Sequence, residues 1–201
     1  MKRDDIINAA IIEFGENDYN NAKIDSIISS SKTSKGTFYH YFNSKEELYL
    51  ELARKATEKK IDFLNSKTLF QDKASVSYTI FEILHKQIKT AMDFALEFPE
   101  YATLSIRIAT ETNQEIKGKI RSVVGNISGD YFEKLIAKNI EDGVIREDIP
   151  YDVVSGLLSF MLTYYIDFII NLGVEINVVN QEKIYEYLEY YIAFLENGLR
   201  K

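Results

Sequence analysis

The chain has 201 residues, enough for one large domain or a small domain joined to a medium one. Hydrophobic residues make up 46% of it, which can build a core, while the absence of cysteine excludes a disulfide framework, a thiolate metal site and a cysteine nucleophile. Net charge is −7, yet residues 1–60 balance ten Lys/Arg against ten Asp/Glu, so all the excess acid falls in residues 61–201. A nucleic-acid partner needs only a local cationic face, so the acidity of the whole does not exclude one. The start, Met1-Lys2-Arg3-Asp4-Asp5, does not read as a signal peptide, because two acids precede any apolar run. The apolar run 153–166 has the length of a buried core helix rather than a membrane span. A reducing cytoplasm is the expected setting.

Apolar residues recur at i, i+3, i+4 and i+7 along most of the chain, and prolines are only two, Pro99 and Pro150. This predicts an all-α fold of about nine helices. The first runs from about Arg3 to Glu16, with Ile6, Ile7, Ala10, Ile11 and Phe14 inward. After the polar stretch from Gly15, Asn20 or Asn21 is expected to cap a second helix reaching about Ser30, with Ile24, Ile27 and Ile28 inward. Ser29 to Thr33 reads as a turn. Ser34-Lys35-Gly36-Thr37-Phe38-Tyr39-His40-Tyr41-Phe42 makes a short third helix that Asn43-Ser44 ends. Ser44-Lys45-Glu46-Glu47 is a capping box opening a fourth helix to about Phe63, with Leu48, Leu52, Ala53 and Ala56 inward. The stretch from Asn65 to Lys73 marks the expected boundary, giving domains at 1–60 and 61–201.

A long helix is expected from about Lys73 to Phe98, with Phe81, Leu84, Ile88, Ala91 and Ala95 on one face. Pro99 suits the first turn of the next, short helix. Thr112-Asn113-Gln114-Glu115 reads as a second capping box, opening a helix that bears Ile116, Ile120, Val123, Ile127, Tyr131 and Leu135 and closes at Asp142-Gly143. Pro150 begins a helix to about Leu172, closed by Gly173. The last runs from about Asn180 to Gly198, with Ile184, Leu188, Tyr191, Ile192, Leu195 and Leu199 as its stripe.

Three short helices with a tight turn before the third form the frame of a helix-turn-helix. Phe38 and Phe42, four apart, can pack against Phe14, Ile27 and Leu48. Lys35, Gly36, Thr37, Tyr39, His40 and Tyr41 then cover the rest of the third helix. Lysine can pair with a phosphate or a guanine edge, threonine can touch a thymine methyl, and tyrosine and histidine can donate to phosphates. Gly36 costs a helix about 1 kcal/mol against alanine, but lets the backbone approach DNA. Lys45 is a cation at a helix start, where an external phosphate would favour it. On spacing alone, these residues could equally be half-buried tyrosines and solvated lysines.

The residues go further than the spacing. Ile6-Ile7-Asn8-Ala9-Ala10 with Phe14, then Tyr19, Ile24 and Ile27, then Ser34 to Phe42 with Ser44-Lys45-Glu46-Glu47-Leu48 resemble the N-terminal domain of TetR-type (TetR/AcrR) bacterial transcriptional regulators. The resemblance covers about residues 3–55. It implies that Lys35, Gly36, Thr37 and Tyr39 lie at the major groove and that Tyr41, Lys45 and Lys23 hold phosphates; Ser34 and His40 complete the expected DNA-binding residues. The chain departs from the family pattern at Ala22-Lys23, Ile28, Lys32 and Thr33. The family places glycine where Lys32 stands, and a left-handed Lys32 would cost roughly 1 kcal/mol.

Beyond residue 60 the resemblance is architectural. It implies a helical ligand-binding and dimerisation domain, hence a C2 dimer through the last two long helices. Tyrosines outside the stripe of the last helix fit that interface. Leu157, Phe160, Leu188, Tyr191, Ile192 and Leu195 are its expected residues. A ligand pocket is expected among Leu84, His85, Ile88, Met92, Tyr131, Met161, Tyr164, Tyr165 and Phe168, though each also reads as plain core or interface. The expected function is a repressor released from a palindromic double-stranded DNA operator by a small-molecule effector. No cofactor, metal or membrane partner is expected. Catalysis is not expected either, since Ser29-Ser30-Ser31-Lys32 matches S-x-x-K without partner motifs. The rival reading is a helical ligand-binding or scaffold protein that carries the helix-turn-helix shape unused.

Overall fold

Ile6, Ile7, Ala10, Ile11 and Phe14 fall on one face of α1 (Lys2–Glu16), and all five are buried. In the computed structural model of the protein, residues 2–67, 79–163, 165–175 and 180–200 are described. Their side chains are described except at 65, 87–89, 91–92, 126–132, 134–135, 159, 161–163, 166–167 and 181. α1 is followed by α2 (Ile24–Ser30), α3 (Lys35–Tyr41), α4 (Lys45–Lys67), α5 (Ile80–Glu97), α6 (Pro99–Ala109) and α7 (Gln114–Glu141). Then come α8 (Tyr151–Thr163), α9 (Tyr165–Asn171) and α10 (Gln181–Leu199). The described residues thus form ten helices where the sequence predicts nine. The helix expected from Pro150 to Leu172 is described as two, α8 and α9, on either side of residue 164.

The helix ends follow local chemistry, with three corrections to the sequence reading. At α2 the N-cap is Lys23 in an extended conformation, with no side-chain cap. Asn21 is occupied elsewhere, its N–H and amide both donating to the Asp18 carboxylate at 2.9 and 2.8 Å. The Glu13 carboxylate accepts the Lys23 N–H at 2.8 Å and ties the start of α2 to α1. At α7 the cap is Asn113 rather than Thr112, because its Oδ1 accepts the Ile116 N–H at 3.2 Å. At α5 the first turn is set by Thr79 and Glu82. The Glu82 N–H donates to Thr79 Oγ1 at 3.2 Å, and the Thr79 N–H donates to Glu82 Oε2 at 2.8 Å. This is a reciprocal capping box, and it places the start of α5 later than Lys73. Residues 68–78 of the expected boundary and helix start lie outside the described residues.

The chain divides into two compact units that do not follow the single cut expected near residue 60. One joins Met1–Lys59 to Glu97–Gly125; the other joins Lys60–Leu96 to Asn126–Lys201. The reason lies in the first unit's core. Leu104 of α6 and Ile116 and Ile120 of α7 are buried with Phe14, Ile27, Phe38, Phe42, Leu48, Tyr49 and Leu52. Burying a side chain of this size stabilises by about 1.5–3 kcal/mol, so α6 and the start of α7 are part of what holds the N-terminal helices together. The second unit has its own core of Ile80, Phe81, Leu84, Ile136, Ile145, Val154, Leu158, Ile192, Leu195 and Leu199. Within it the buried Asn139 caps α5, its Oδ1 accepting the Ile80 N–H at 2.6 Å. The Arg146 N–H donates to the Leu199 carbonyl at 2.9 Å and pins the end of α10.

Candidate nucleic-acid interface

Phe38 and Phe42 anchor α3. Both are essentially inaccessible, with ring centroids 5.9 Å apart, and they join Phe14, Ile27 and Leu48 in one cluster. That fixes which side of α3 faces outward. Lys35, Gly36, Tyr39 and His40 are exposed there, while Thr37 and Tyr41 are half-buried. The Tyr39 ring meets Phe38 edge-on at 5.2 Å, and His40 meets Tyr41 edge-on at 4.9 Å. Ser34 is the N-cap and accepts the Thr37 N–H at 3.1 Å; the two hydroxyls are also hydrogen-bonded at 2.9 Å. A Cβ at Gly36 would meet only Ser34 Oγ, at 3.8 Å, so no packing within the chain requires glycine there.

The turn between α2 and α3 is a Schellman motif. The Thr33 N–H donates to the Ile28 carbonyl at 3.2 Å and the Lys32 N–H to the Ser29 carbonyl at 3.1 Å. That geometry puts a left-handed residue after the helix, and Lys32 has φ 51°, alone among the described non-glycine residues in being positive. Because the Lys32 Cβ crowds the backbone, the conformation costs about 1–2 kcal/mol against glycine. Residues 26–45 contain Lys32, Lys35 and Lys45, with His40 and no acidic residue.

α4 begins at the Ser44 cap. The Glu47 N–H donates to Ser44 Oγ at 3.0 Å, but the Glu47 carboxylate accepts from the N–H of Asn43, one residue earlier than a standard box requires. Lys45 is half-buried and folded back: its Nζ donates to the Asn20 carbonyl at 3.2 Å and sits 4.9 Å from the centre of the Tyr19 ring. Burial lowers its pKa, opposed by Asp18 and Glu13. Lys23 is exposed at the start of α2.

Residues that sequence reasoning missed hold this surface in place. Arg3 donates to both oxygens of Glu51 at 2.7 Å, and its guanidinium lies 5.2 Å from the centre of the Phe42 ring. Arg107 of α6 donates to the Gly15 carbonyl at 3.1 Å, satisfying the end of α1. Lys119 of α7 reaches both Glu46 oxygens at 2.8 and 2.9 Å and Glu115 at 2.7 Å. Hydrogen bonds to Glu115 and Glu46 hold its pKa above the ordinary lysine value. Tyr49 is buried and donates its hydroxyl to Glu111 at 3.3 Å. Burial, with Glu111 adding, pushes its pKa far above the ordinary value, so it remains a donor. Tyr49 was legible in principle, since Tyr49, Leu52, Ala53 and Ala56 share one helical face.

Of the expected pocket residues in the second unit, Leu84, His85, Tyr165 and Phe168 have described side chains. Leu84 is buried in the core it shares with Val154 and Ile192. His85 Nδ1 lies 2.5 Å from Glu189 of α10, and its Nε2 lies 3.9 Å from Glu196. Tyr165 is buried and donates to the Ile184 carbonyl at 2.7 Å. Phe168 is exposed, with its ring 5.6 Å from that of Tyr191. Tyr164 and the side chains of Ile88, Met92, Tyr131 and Met161 lie outside the described residues. Among the expected interface residues, Ile192 and Leu195 are corrected: both are buried in their own unit's core and offer no free surface. Leu188 and Tyr191 are half-buried against that core, whereas Leu157 and Phe160 are exposed. The open face of α10 is instead Tyr190 and Phe194, the latter 72% exposed. No helix of the described residues is long and apolar enough to cross a membrane.

A trihelical unit with a tight α2–α3 turn, an outward α3 and a local run of lysines defines a helix-turn-helix DNA-binding domain. Residues 6–52 match the family model described as bacterial regulatory proteins, tetR family. The N-terminal helices are thus similar to the DNA-binding domain of that family of transcriptional regulators. It is 26% identical over 169 residues to the transcriptional repressor AcnR of Corynebacterium efficiens, spanning 82% of this chain and 79% of the relative. The all-α fold agrees with solved structures. A TetR-family regulator from Syntrophomonas wolfei superposes with TM-score 0.70 at 18% identity, covering 98% and 95% of the two chains. The FadR regulator of Bacillus subtilis, solved in complex with stearoyl-CoA, does so with TM-score 0.65 at 19% identity, covering 92% and 97%.

Proposed function

We propose that the protein is a repressor whose α3 reads an operator and whose C-terminal helices release it when they bind a small molecule. The observation that carries this is α3 itself: Phe38 and Phe42 fix one side in the core while Lys35, Gly36, Tyr39 and His40 are left outward. Lys35, Gly36, Thr37 and Tyr39 reach base edges, with Ser34 and His40 at the rim of the same surface. Tyr41, Lys45 and Lys23 hold phosphates on either side. Functionally, residues 1–60 bind DNA and residues 61–201 bind ligand and dimerise, with 97–125 packed on the DNA-binding helices as support. The similarity to a protein named as a repressor supports this direction of control.

Two such units related by a twofold axis would read a palindrome in successive major grooves. The exposed Leu157 and Phe160 of α8 and Tyr190 and Phe194 of α10 supply the apolar surface for that pairing. α4 and α7 each contribute residues to both compact units, so a ligand-favoured shift of either helix would change the spacing of the two α3 helices. Such a ligand acts only through its difference in affinity for the two arrangements. The FadR likeness makes a long-chain acyl thioester a suitable first effector to try.

Fluorescence anisotropy with duplex DNA from upstream of its own coding sequence tests the reading. Salt-sensitive binding, abolished by Tyr39→Ala and weakened by stearoyl-CoA, is the expected result. Equal affinity for random duplex would remove the operator. An effector that tightens binding would reverse the direction of control.

A further inference from the structure

We propose that Lys32 is a DNA-backbone contact, its ammonium group pairing with a phosphate beside the half-site. This rests on the DNA-binding reading above and adds a residue to it. The left-handed position it occupies is favoured for glycine and tolerated by asparagine, and lysine has no conformational reason to be there. The turn does not need the side chain, because both Schellman hydrogen bonds are made by main-chain groups. Ser31 and Thr33 complete the turn through a hydroxyl–hydroxyl bond at 2.8 Å that leaves Lys32 out. The side chain is exposed, and no hydrogen bond or ion pair among the described residues reaches its ammonium group. A strained backbone bearing an idle cation is explained by a partner outside the chain. The turn directly precedes α3, in a stretch from 26 to 45 that holds three lysines and no acid, so the partner that fits is anionic and meets α3 as well.

The test compares the full-length protein with Lys32→Gly and Lys32→Arg, by thermal unfolding and by anisotropy over a salt series. Two labelled duplexes serve as probes, one of random sequence and one from upstream of the coding sequence. A phosphate contact is independent of sequence, so both report it. Lys32→Gly is expected to raise Tm by about 2–8 °C through relief of strain. It is expected to weaken both duplexes by roughly eightfold at 0.1 M salt and to lower the salt slope by about 0.9 per DNA-binding unit. Lys32→Arg is expected to keep affinity and slope. A Lys32→Gly protein with wild-type affinity and slope overturns the proposal. So does equal weakening in both variants at unchanged slope, which would mark an altered docking angle. Wild-type protein with no salt-dependent affinity for either duplex would instead sink the DNA-binding reading itself.

Discussion

Replacing Gly36 with alanine separates what the fold needs from what DNA needs. Gly36 lies in the first turn of α3 and is exposed, and its φ lies outside the left-handed region. An added Cβ would meet only Ser34 Oγ, at 3.8 Å, which is ordinary van der Waals contact. Alanine therefore fits without strain and narrows the unfolded ensemble, worth about 0.4–1 kcal/mol of stability. For a chain of this size that is a Tm higher by about 1–4 °C. On DNA the sign reverses. A methyl group forced into a close-fitted surface costs about 1–3 kcal/mol. That is roughly a fivefold to a 150-fold loss of affinity. The assay is thermal unfolding alongside anisotropy on the upstream duplex. A variant that is stabilised yet binds as tightly as wild type would refute the claim that α3 approaches DNA through Gly36. A destabilised variant would refute the packing argument.

Three further outcomes follow from the second unit. Asn139→Ala leaves the buried Ile80 N–H without its acceptor and is expected to cost about 1–3 kcal/mol, read from the urea midpoint. Phe160→Glu with Phe194→Glu places charge on the most exposed apolar positions of α8 and α10 among the described side chains; light scattering is expected to show a dimer for wild type and a monomer for the variant. Glu82 accepts hydrogen bonds from the Thr79 N–H and hydroxyl, which hold its pKa below the ordinary value. A depressed acid stabilises above its unfolded pKa and loses that contribution as pH falls through the folded value. Wild type is therefore expected to outlast Glu82→Gln at neutral pH, with the gap closing as pH falls below about 4.3.

The N-terminal helices were legible because local chemistry sets them. The Ile6–Phe14 stripe, the Ser34 cap and the Phe38–Phe42 pair each act within a turn or two of chain, and each is where the pattern puts it. What the sequence did not disclose depends on distant residues. Nothing in 97–125 announces that Leu104, Ile116 and Ile120 share a core with Phe14. Arg107 and Lys119 look like solvated helix charges until Gly15 and Glu46 arrive beside them from other helices. On α10, a helix apolar over most of its surface has more than one candidate stripe. Periodicity grouped Ile192 and Leu195, which are buried, and left Tyr190 and Phe194 outside that stripe, where they are exposed, but it did not say which set a partner would cover. Thr79–Glu82 was a missed local signal: a T-x-x-E pattern as readable as the one at Ser44.

Two residues that break local rules lie four positions apart. Lys32 occupies a glycine conformation and Gly36 occupies a helix turn where alanine would be better. Each choice lowers stability, and exchanging them for the locally preferred residues would raise it. Elsewhere in the same unit many local choices agree with the fold, from the buried stripe of α1 to the side-chain caps at Ser34 and Ser44. Two rule-breaking choices within one five-residue stretch point to a demand made from outside the chain at that stretch. The charge pattern points the same way, since the lysines of residues 26–45 stand free of acids in an otherwise acidic protein. If the demand comes from DNA, the double variant Lys32→Gly/Gly36→Ala should be the most stable form of the protein and the weakest at binding DNA. The two effects on stability should then add closely, because neither side chain touches the other's partners.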